Sequence, residues 1–298
     1  MSEWQTFLKP ETLTRLEGLE LRARAVVDGL LAGRHRSQRR GFSTEFAEHR
    51  EYAPGDDLRY IDWKVYARSD RFYLKIHEEE TNLACYVVAD VSESMRYRSQ
   101  PNLPSKWEAA QVLTAALAYV VLRQQDAVGL AVVDDQLRHF IPPSSSPAQW
   151  RRVVETLETL KPKGFTSLGR CLQLLAEQVH RRSIVIVVSD LFDEPDELAL
   201  GLRHLRSRKH DVSVFQVVDP QELQFQFEQV TLFEGLENEP KLVVDASTVA
   251  AAYRKAFHLF VEELRRQCYE LHVDFLQIRT DQPLDLALAG FLKQRGEQ

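Results

Sequence analysis

Five oxygen-bearing side chains occur at positions where they could together bind one divalent cation. They are Asp90, Ser92, Ser94, Thr166 and Asp190. Two carboxylates partly neutralise a cation, and hydroxyl groups add neutral oxygen ligands of the kind that Mg²⁺ accepts. No histidine or cysteine lies directly beside these residues, so zinc is disfavoured. The set therefore predicts a site for Mg²⁺, with Mn²⁺ or Ca²⁺ as alternative ions.

The same residue types also have an ordinary structural role. An aspartate that follows a buried strand often caps a loop or a helix. Serine and threonine in such loops often bind nearby backbone groups in the same way. An Asp-x-Ser-x-Ser run alone is a weak pattern, and only the complete set in separate loops favours metal binding. Capping without metal stays open as the alternative.

Short apolar runs rich in valine predict the elements that position these residues. The runs cover residues 84–89, 128–133, 184–188, 212–218 and 273–278. Their length and continuity are typical of strands buried on both faces. Because helical patterns separate them, we expect an α/β fold, doubly wound, with a mainly parallel sheet and helices on both faces. Asp90 and Asp190 then lie at the carboxyl edge of the sheet, where open α/β sheets bind ligands.

Amphipathic patterns predict the helices. The first covers residues 10–32, and we expect it to end at Gly33 and to pack on the main body. Ser105 and Glu108 form a capping box that opens a second helix. This second helix is predicted to end near Gln124. Of the later helices, one is predicted to open at Ser146-Pro147, one to follow Thr166 and one to begin near Pro195, and the last two to cover residues 247–267 and 284–294.

Composition excludes several classes of protein. The chain has 298 residues and a net charge of −6, which gives no general attraction to nucleic acid or to an anionic membrane. Its three cysteines are far apart and lack CxxC spacing, which favours a reducing compartment over a disulfide framework. Neither a signal peptide nor an apolar membrane span is found in the sequence. We therefore expect a cytoplasmic protein.

Two groups of motifs resemble known families. The five candidate ligands, in their order and loops, resemble the metal-ion-dependent adhesion site of von Willebrand factor A domains over about residues 80–280. The N-terminal part resembles the signature of the bacterial "domain of unknown function 58" family, as does the segment from Glu222 to Glu237. The N-terminal motifs are Gly41-Phe42-Ser43-Thr44-Glu45-Phe46, Arg50-Glu51-Tyr52-x-Pro54-Gly55-Asp56-Asp57-x-Arg59-x-Ile61-Asp62-Trp63 and Ala67-Arg68.

The resemblance implies a von Willebrand factor A-like fold and a non-enzymatic role. Members of this family are typically linked to MoxR-type AAA+ ATPases, so such an ATPase is the implied partner. The resemblance also implies that the metal site binds an aspartate or glutamate of the partner. Eight side chains of the N-terminal signature have two possible roles: they form a structural ion-pair network, or they dock a partner. These residues are Arg50, Tyr52, Asp56, Asp57, Arg59, Asp62, Trp63 and Arg68.

We expect two parts in the chain. Residues 1–80 would hold the first helix and the signature segment, packed on the main domain, with an extended strand at 72–76. Residues 81–298 would form the von Willebrand factor A-like domain. Residues 219–245 interrupt its strand–helix alternation and are interpreted as a hairpin-like insertion.

A metal-dependent hydrolase or phosphotransferase that uses Asp90 is the main alternative function. Haloacid-dehalogenase-type phosphatases place an aspartate at this point but need a second acid two positions on, where this chain has Ser92. The sequence also lacks a GxSxG elbow and a GxxxxGK[ST] phosphate loop. We therefore expect no catalysis.

Nucleic acid is a weaker alternative partner. The basic run from Arg34 to Arg40 could contact phosphates. However, the run is short, contains no aromatic residue, and belongs to an acidic chain. Nucleic-acid binding is therefore not expected.

Overall fold

The computed structural model describes residues 18–37, 50–51, 73–74, 84–227, 229–236 and 241–296. The chain divides into two compact units, one of Met1–Arg34 with Leu83–Gln298 and one of His35–Asn82. The first helix, α1 (Leu19–Ser37), begins in the larger unit. The division of the chain into residues 1–80 and residues 81–298 stays a prediction.

In the smaller unit, two short strands pair with each other. Strand β1 (Arg50–Glu51) is antiparallel to β2 (Tyr73–Leu74). The expected strand at 72–76 is thus confirmed at two of its five residues, Tyr73 and Leu74. The backbone of Arg50 lies in β1, whereas Tyr52, Asp56, Asp57, Arg59, Asp62, Trp63 and Arg68 lie outside the described residues.

Six strands of the larger unit are β3 (Ala84–Asp90), β4 (Ala127–Val133), β5 (Leu137–Ser144), β6 (Ser183–Ser189), β7 (Asp211–Val218) and β10 (Asp274–Arg279). Within the described residues they form one sheet in the order β10-β7-β6-β3-β4-β5. All neighbouring pairs are parallel except β4 and β5. This arrangement confirms the expected α/β class with a mainly parallel sheet.

The sequence did not predict strand β5. Two prolines, Pro142 and Pro143, interrupt its apolar character, and the strand lies at the sheet edge, where proline is tolerated. Register shifts between β4 and β5 add further irregularity. An edge strand that is only partly buried therefore lacks the continuous apolar run that identified the other five strands.

Helices cover both faces of the sheet, as expected. The helices after α1 are α2 (Lys106–Arg123), α3 (Ala148–Thr159), α4 (Leu168–Gln178), α5 (Pro195–Ser207), α6 (Pro220–Gln224), α7 (Ala246–Glu270) and α8 (Leu284–Gly296). Helices α1, α2, α3 and α8 pack on the face of Val87, and α4, α5 and α7 pack on the face of Val88. No helix among the described residues is both long and apolar enough to cross a membrane.

Helix α1 packs on the main body, as predicted, but its end differs from the prediction. Leu19, Val26 and Leu30 are buried in the same core as α2 and α3. The Leu19 N–H donates to Glu158 at the end of α3 at 2.9 Å. The helix continues through Gly33 to Ser37, so the expectation that Gly33 ends it is wrong. A glycine inside a helix costs only about 1 kcal/mol, which continued helical hydrogen bonding can offset.

The interruption between β7 and α7 contains the predicted hairpin. Strands β8 (Val230–Phe233) and β9 (Leu242–Asp245) pair antiparallel. The short helix α6 precedes them and was not predicted. Its capping box is formed by Asp219 and Glu222.

Helices α4 and α5 approach each other through two glycines. A Cβ added to Gly169 would lie 2.3 Å from the backbone of Glu197. A Cβ added to Gly201 would lie 2.4 Å from the backbone oxygen of Gly169. This approach fixes the start of α4, which directly follows the loop that contains Thr166.

We predict that Gly201→Ala lowers the free energy of unfolding by about 1–3 kcal/mol, because the added methyl group overpacks a backbone contact. Gly290→Ala is the control, since a Cβ there meets nothing within 4 Å. This control should leave stability unchanged or raise it by up to about 1 kcal/mol, because alanine favours helix. Urea unfolding measures both variants, and equal stabilities would contradict the close packing.

Candidate metal centre

The strand order places the candidate site at a topological switch point. The chain runs from β3 outward through β4 and β5, then returns to form β6 on the other side of β3. Asp90 ends β3, and Asp190 directly follows Ser189, the last residue of β6. The crevice outside the carboxyl ends of two such strands is where open α/β sheets bind ligands.

The loop after β3 folds back so that its backbone forms a hydrogen bond with Asp90, the last residue of the strand. The backbone N–H of Ser92 donates to Asp90 Oδ1 at 2.8 Å, and the Ser189 hydroxyl donates to Asp90 Oδ2 at 2.5 Å. The buried Met95 anchors the 3₁₀ turn that follows, Glu93–Arg96. In this loop the Oγ atoms of Ser92 and Ser94 lie 3.1 Å apart.

Backbone hydrogen bonds attach the Thr166 loop to the same place. The Glu93 N–H donates to the Gly164 oxygen, and the Lys163 N–H donates to the Val91 oxygen, both at 3.0 Å. Gly164 has a φ of +78°, a conformation that favours glycine and turns the chain toward β3. Thr166 is half-buried two residues later. The three sequence segments that carry the five predicted ligands thus meet at one edge of the sheet.

Two buried carboxylates dominate the electrostatics of the centre. Asp90 and Asp190 are both fully buried. Burial, together with the charge of Asp190, raises the pKa of the Asp90 carboxyl to about 7. Hydrogen bonds from Ser189 and Ser92 act in the opposite direction and only partly offset this effect. The Asp90 carboxylate is therefore costly to maintain unless positive charge lies nearby.

A buried lysine supplies one positive charge. Lys106, the first residue of α2, has a side chain only 1% exposed. Its Nζ lies 2.7 Å from Asp190 Oδ2 and 2.6 Å from Glu222 Oε1. Burial lowers the pKa of Lys106, but Asp190 and Glu222 outweigh burial and raise it above its ordinary value. The lysine is therefore charged and bridges β6 to α6.

The donor set fits a hard divalent cation. Adjacent ligands of an octahedral ion with bonds of 2.0–2.1 Å lie about 2.9 Å apart, close to the 3.1 Å between the two serine Oγ atoms. Asp90, Asp190 and Glu222 carry three formal negative charges against one on Lys106, so a negative excess remains. Oxygen ligands and negative charge are together what Mg²⁺, Mn²⁺ or Ca²⁺ requires.

Comparison with known proteins places the chain in a family. The model of the family "Protein of unknown function DUF58" matches residues 48–267. The chain belongs to the DUF58 family. The sequence resemblance to this family is thereby confirmed. The uncharacterized proteins Mb1516 of Mycobacterium bovis and Rv1480 of Mycobacterium tuberculosis are each 24% identical to this DUF58 protein, over 96% of its chain and 90% of theirs.

Solved structures similar to this DUF58 protein have low sequence identity to it. BatB from Bacteroides thetaiotaomicron has a TM-score of 0.47 and 14% identity, covering 72% of this chain and 100% of that chain. An aerotolerance-related membrane protein from Bacteroides fragilis has a TM-score of 0.46 and 18% identity, covering 71% and 97%. The SpRpn10 VWA domain has a TM-score of 0.40 and 11% identity, covering 69% and 93%.

Sequence reasoning missed three residues of this candidate centre. Ser189 was visible only as the residue before Asp190. Lys106 lay inside the recognised capping box, which the structure confirms with Ser105 and Glu108. Glu222 opened a segment that resembled the family. Lys106 lies 84 residues before Asp190 and 116 residues before Glu222 in the sequence. No local sequence pattern predicts contacts between residues so far apart.

We predict that Lys106→Met destabilises the metal-free DUF58 protein by about 3–5 kcal/mol, because it leaves buried carboxylates without their counter-charge. Lys106→Met combined with Glu222→Gln should be more stable than Lys106→Met alone. In the double variant only Asp190, and no longer Glu222, is a buried carboxylate that has lost its lysine partner. Urea unfolding in chelator measures wild type, both single variants and the double variant. Additive effects would show that Lys106 and Glu222 are not coupled.

Proposed function

We propose that this chain is a protein-interaction module whose affinity for a partner depends on a divalent cation. Asp90, Ser92, Ser94, Thr166 and Asp190 would hold the cation, which is Mg²⁺ in our proposal, with Mn²⁺ or Ca²⁺ as substitutes. The cation would provide an open position that accepts an aspartate or glutamate from the partner. The site uses only oxygen donors and few carboxylates, so a bound cation would remain electrophilic.

The observation that carries this proposal is the pair of buried aspartates at the switch point. Proteins seldom bury two neighbouring carboxylates without enough positive charge to balance them. The pKa of Asp90 is raised to about 7, first by burial and then by Asp190. A divalent cation at this point would relieve both causes together. Two serine hydroxyls and a threonine loop, arranged beside the carboxylates, supply further ligands.

Capping accounts for part of this arrangement but not for all of it. Asp90 does accept hydrogen bonds from the Ser92 N–H and the Ser189 hydroxyl. Likewise, Asp190 Oδ1 accepts from the Phe192 N–H at 3.2 Å. However, capping one strand end does not require a second buried carboxylate beside the first, and it leaves the repulsion between them in place.

A MoxR-type AAA+ ATPase is the partner that we propose. This choice rests on membership of the DUF58 family and on the partners that the family resemblance implies. We propose the cytoplasm as the place of action, since Cys85, Cys171 and Cys268 are all buried free thiols. A non-enzymatic role agrees with Ser92 at the position where a phosphatase of this type would need its second acid.

We predict that Mn²⁺ binds the wild-type chain with a stoichiometry of about one and that Asp90→Ala abolishes this binding. Isothermal titration calorimetry on chelator-stripped protein measures both. Asp281→Asn is the control, because Asp281 follows edge strand β10 and is paired with Arg279 at 2.6 Å. This control should bind as wild type does. Equal binding by wild type and Asp90→Ala would remove Asp90 from the site and contradict the proposal.

We predict that the chain captures a MoxR-type ATPase from the same organism in Mg²⁺ buffer and releases it when chelator is added. The physical reason is that the partner carboxylate binds the cation rather than the protein alone. Asp90→Ala should fail to capture the ATPase in either buffer, while Asp281→Asn should behave as wild type. Capture that survives chelator would exclude the cation from the interaction.

A further inference from the structure

We propose that Lys106 is an internal cation that competes with the divalent ion for Asp190 and thereby sets the ion concentration at which the site fills. This inference rests on the proposed metal site and adds a regulating residue to it. The sequence resemblance and the family match assign no role to Lys106 or to Glu222.

The position of the ammonium group carries the inference. Nζ of Lys106 contacts Asp190 Oδ2, an oxygen of a proposed metal ligand, at 2.7 Å. The other oxygen of Asp190, Oδ1, accepts the Phe192 N–H. Both oxygens of this carboxylate therefore have partners before any cation arrives. A cation that binds Asp190 must share the carboxylate with the ammonium or displace it.

The surroundings of Lys106 keep the ammonium away from water. Its backbone N–H donates to the Tyr97 oxygen at 3.1 Å, which fixes the start of the side chain. Its Nζ lies 4.9 Å from the centre of the Phe192 ring and 5.8 Å from that of Tyr97. With the side chain 1% exposed, solvent cannot weaken its repulsion of a second cation as it would at a surface.

Glu222 gives the ammonium an alternative partner. Its Oε1 lies 2.6 Å from Nζ, and its Oε2 accepts the Asp219 N–H at 2.7 Å. Lys106 can thus release Asp190 and remain paired, without becoming an isolated buried charge. Glu222 lies on α6, immediately after β7, so metal loading would change the contacts of that helix.

A purely structural role for Lys106 would produce the same contacts. In that case the lysine would hold α6 against the sheet and would have no effect on metal affinity. The two roles differ in what happens to metal affinity when Lys106 and Glu222 are neutralised together. Replacing both removes one positive and one negative formal charge, so the net charge of the cluster is unchanged.

The experiment is a Mn²⁺ titration by calorimetry of full-length wild type, Glu222→Gln, Asp90→Ala and the double variant Lys106→Met with Glu222→Gln. We expect the double variant to bind at least about tenfold more tightly than wild type, because the competing ammonium is absent. Glu222→Gln should bind more weakly than wild type, because the ammonium then has Asp190 as its remaining carboxylate partner in this cluster. Circular dichroism checks that each variant is folded.

The outcomes separate this inference from the proposed function. If Asp90→Ala abolishes binding but the double variant binds with wild-type affinity, the metal site stands and the role of Lys106 is overturned. If Asp90→Ala binds as wild type does, or if no protein binds Mn²⁺, the metal site itself is overturned and this inference with it. If the double variant does not fold, Glu222→Gln decides, and unchanged affinity in that variant overturns the inference.

Discussion

The centre of this protein depends on the repulsion between two buried carboxylates at the ends of adjacent parallel strands. Asp90 and Asp190 lie where the sheet reverses its order, so the fold itself brings them together. Several neighbouring donors and one ammonium reduce the cost of that proximity. Hydroxyl and amide donors bind Asp90, and the Lys106 ammonium binds Asp190. The negative excess that remains is the physical basis of the cation site that we propose.

Hydrogen bonds and one close helix contact tie the neighbouring loops to this centre. The Thr166 loop is attached to the Val91–Glu93 backbone by two hydrogen bonds, and the Gly169–Gly201 contact fixes the helix that follows it. Helix α6 is held through Glu222 and through the Asp219 carboxylate, which accepts the Ser99 N–H at 3.0 Å. These attachments hold the loops around the centre in place, so the partner carboxylate that we propose would bind there without a large ordering cost.

Much of this arrangement could be predicted from the sequence because it is encoded locally. Continuous apolar runs identified five of the six sheet strands, and Ser105 with Glu108 identified the start of α2. The candidate ligands were recognisable because each follows a strand or lies in a short loop. Edge strand β5 was missed because Pro142 and Pro143 break its pattern, and the helix end at Gly33 was misplaced because glycine is tolerated within α1. The Lys106–Asp190–Glu222 network could not be predicted from the sequence, because its three residues are far apart along the chain. In addition, a lysine side chain usually lies at the protein surface.

Anomalous X-ray scattering from crystals of the full-length protein grown with Mn²⁺ would locate a bound cation relative to Asp90 and Asp190. We expect one strong anomalous peak within coordination distance of oxygens from the Asp90–Ser94 loop and Asp190, with the Lys106 ammonium moved toward Glu222. A structure at saturating Mn²⁺ without a peak at this edge of the sheet, and with Lys106 still bound to Asp190, would contradict this expectation.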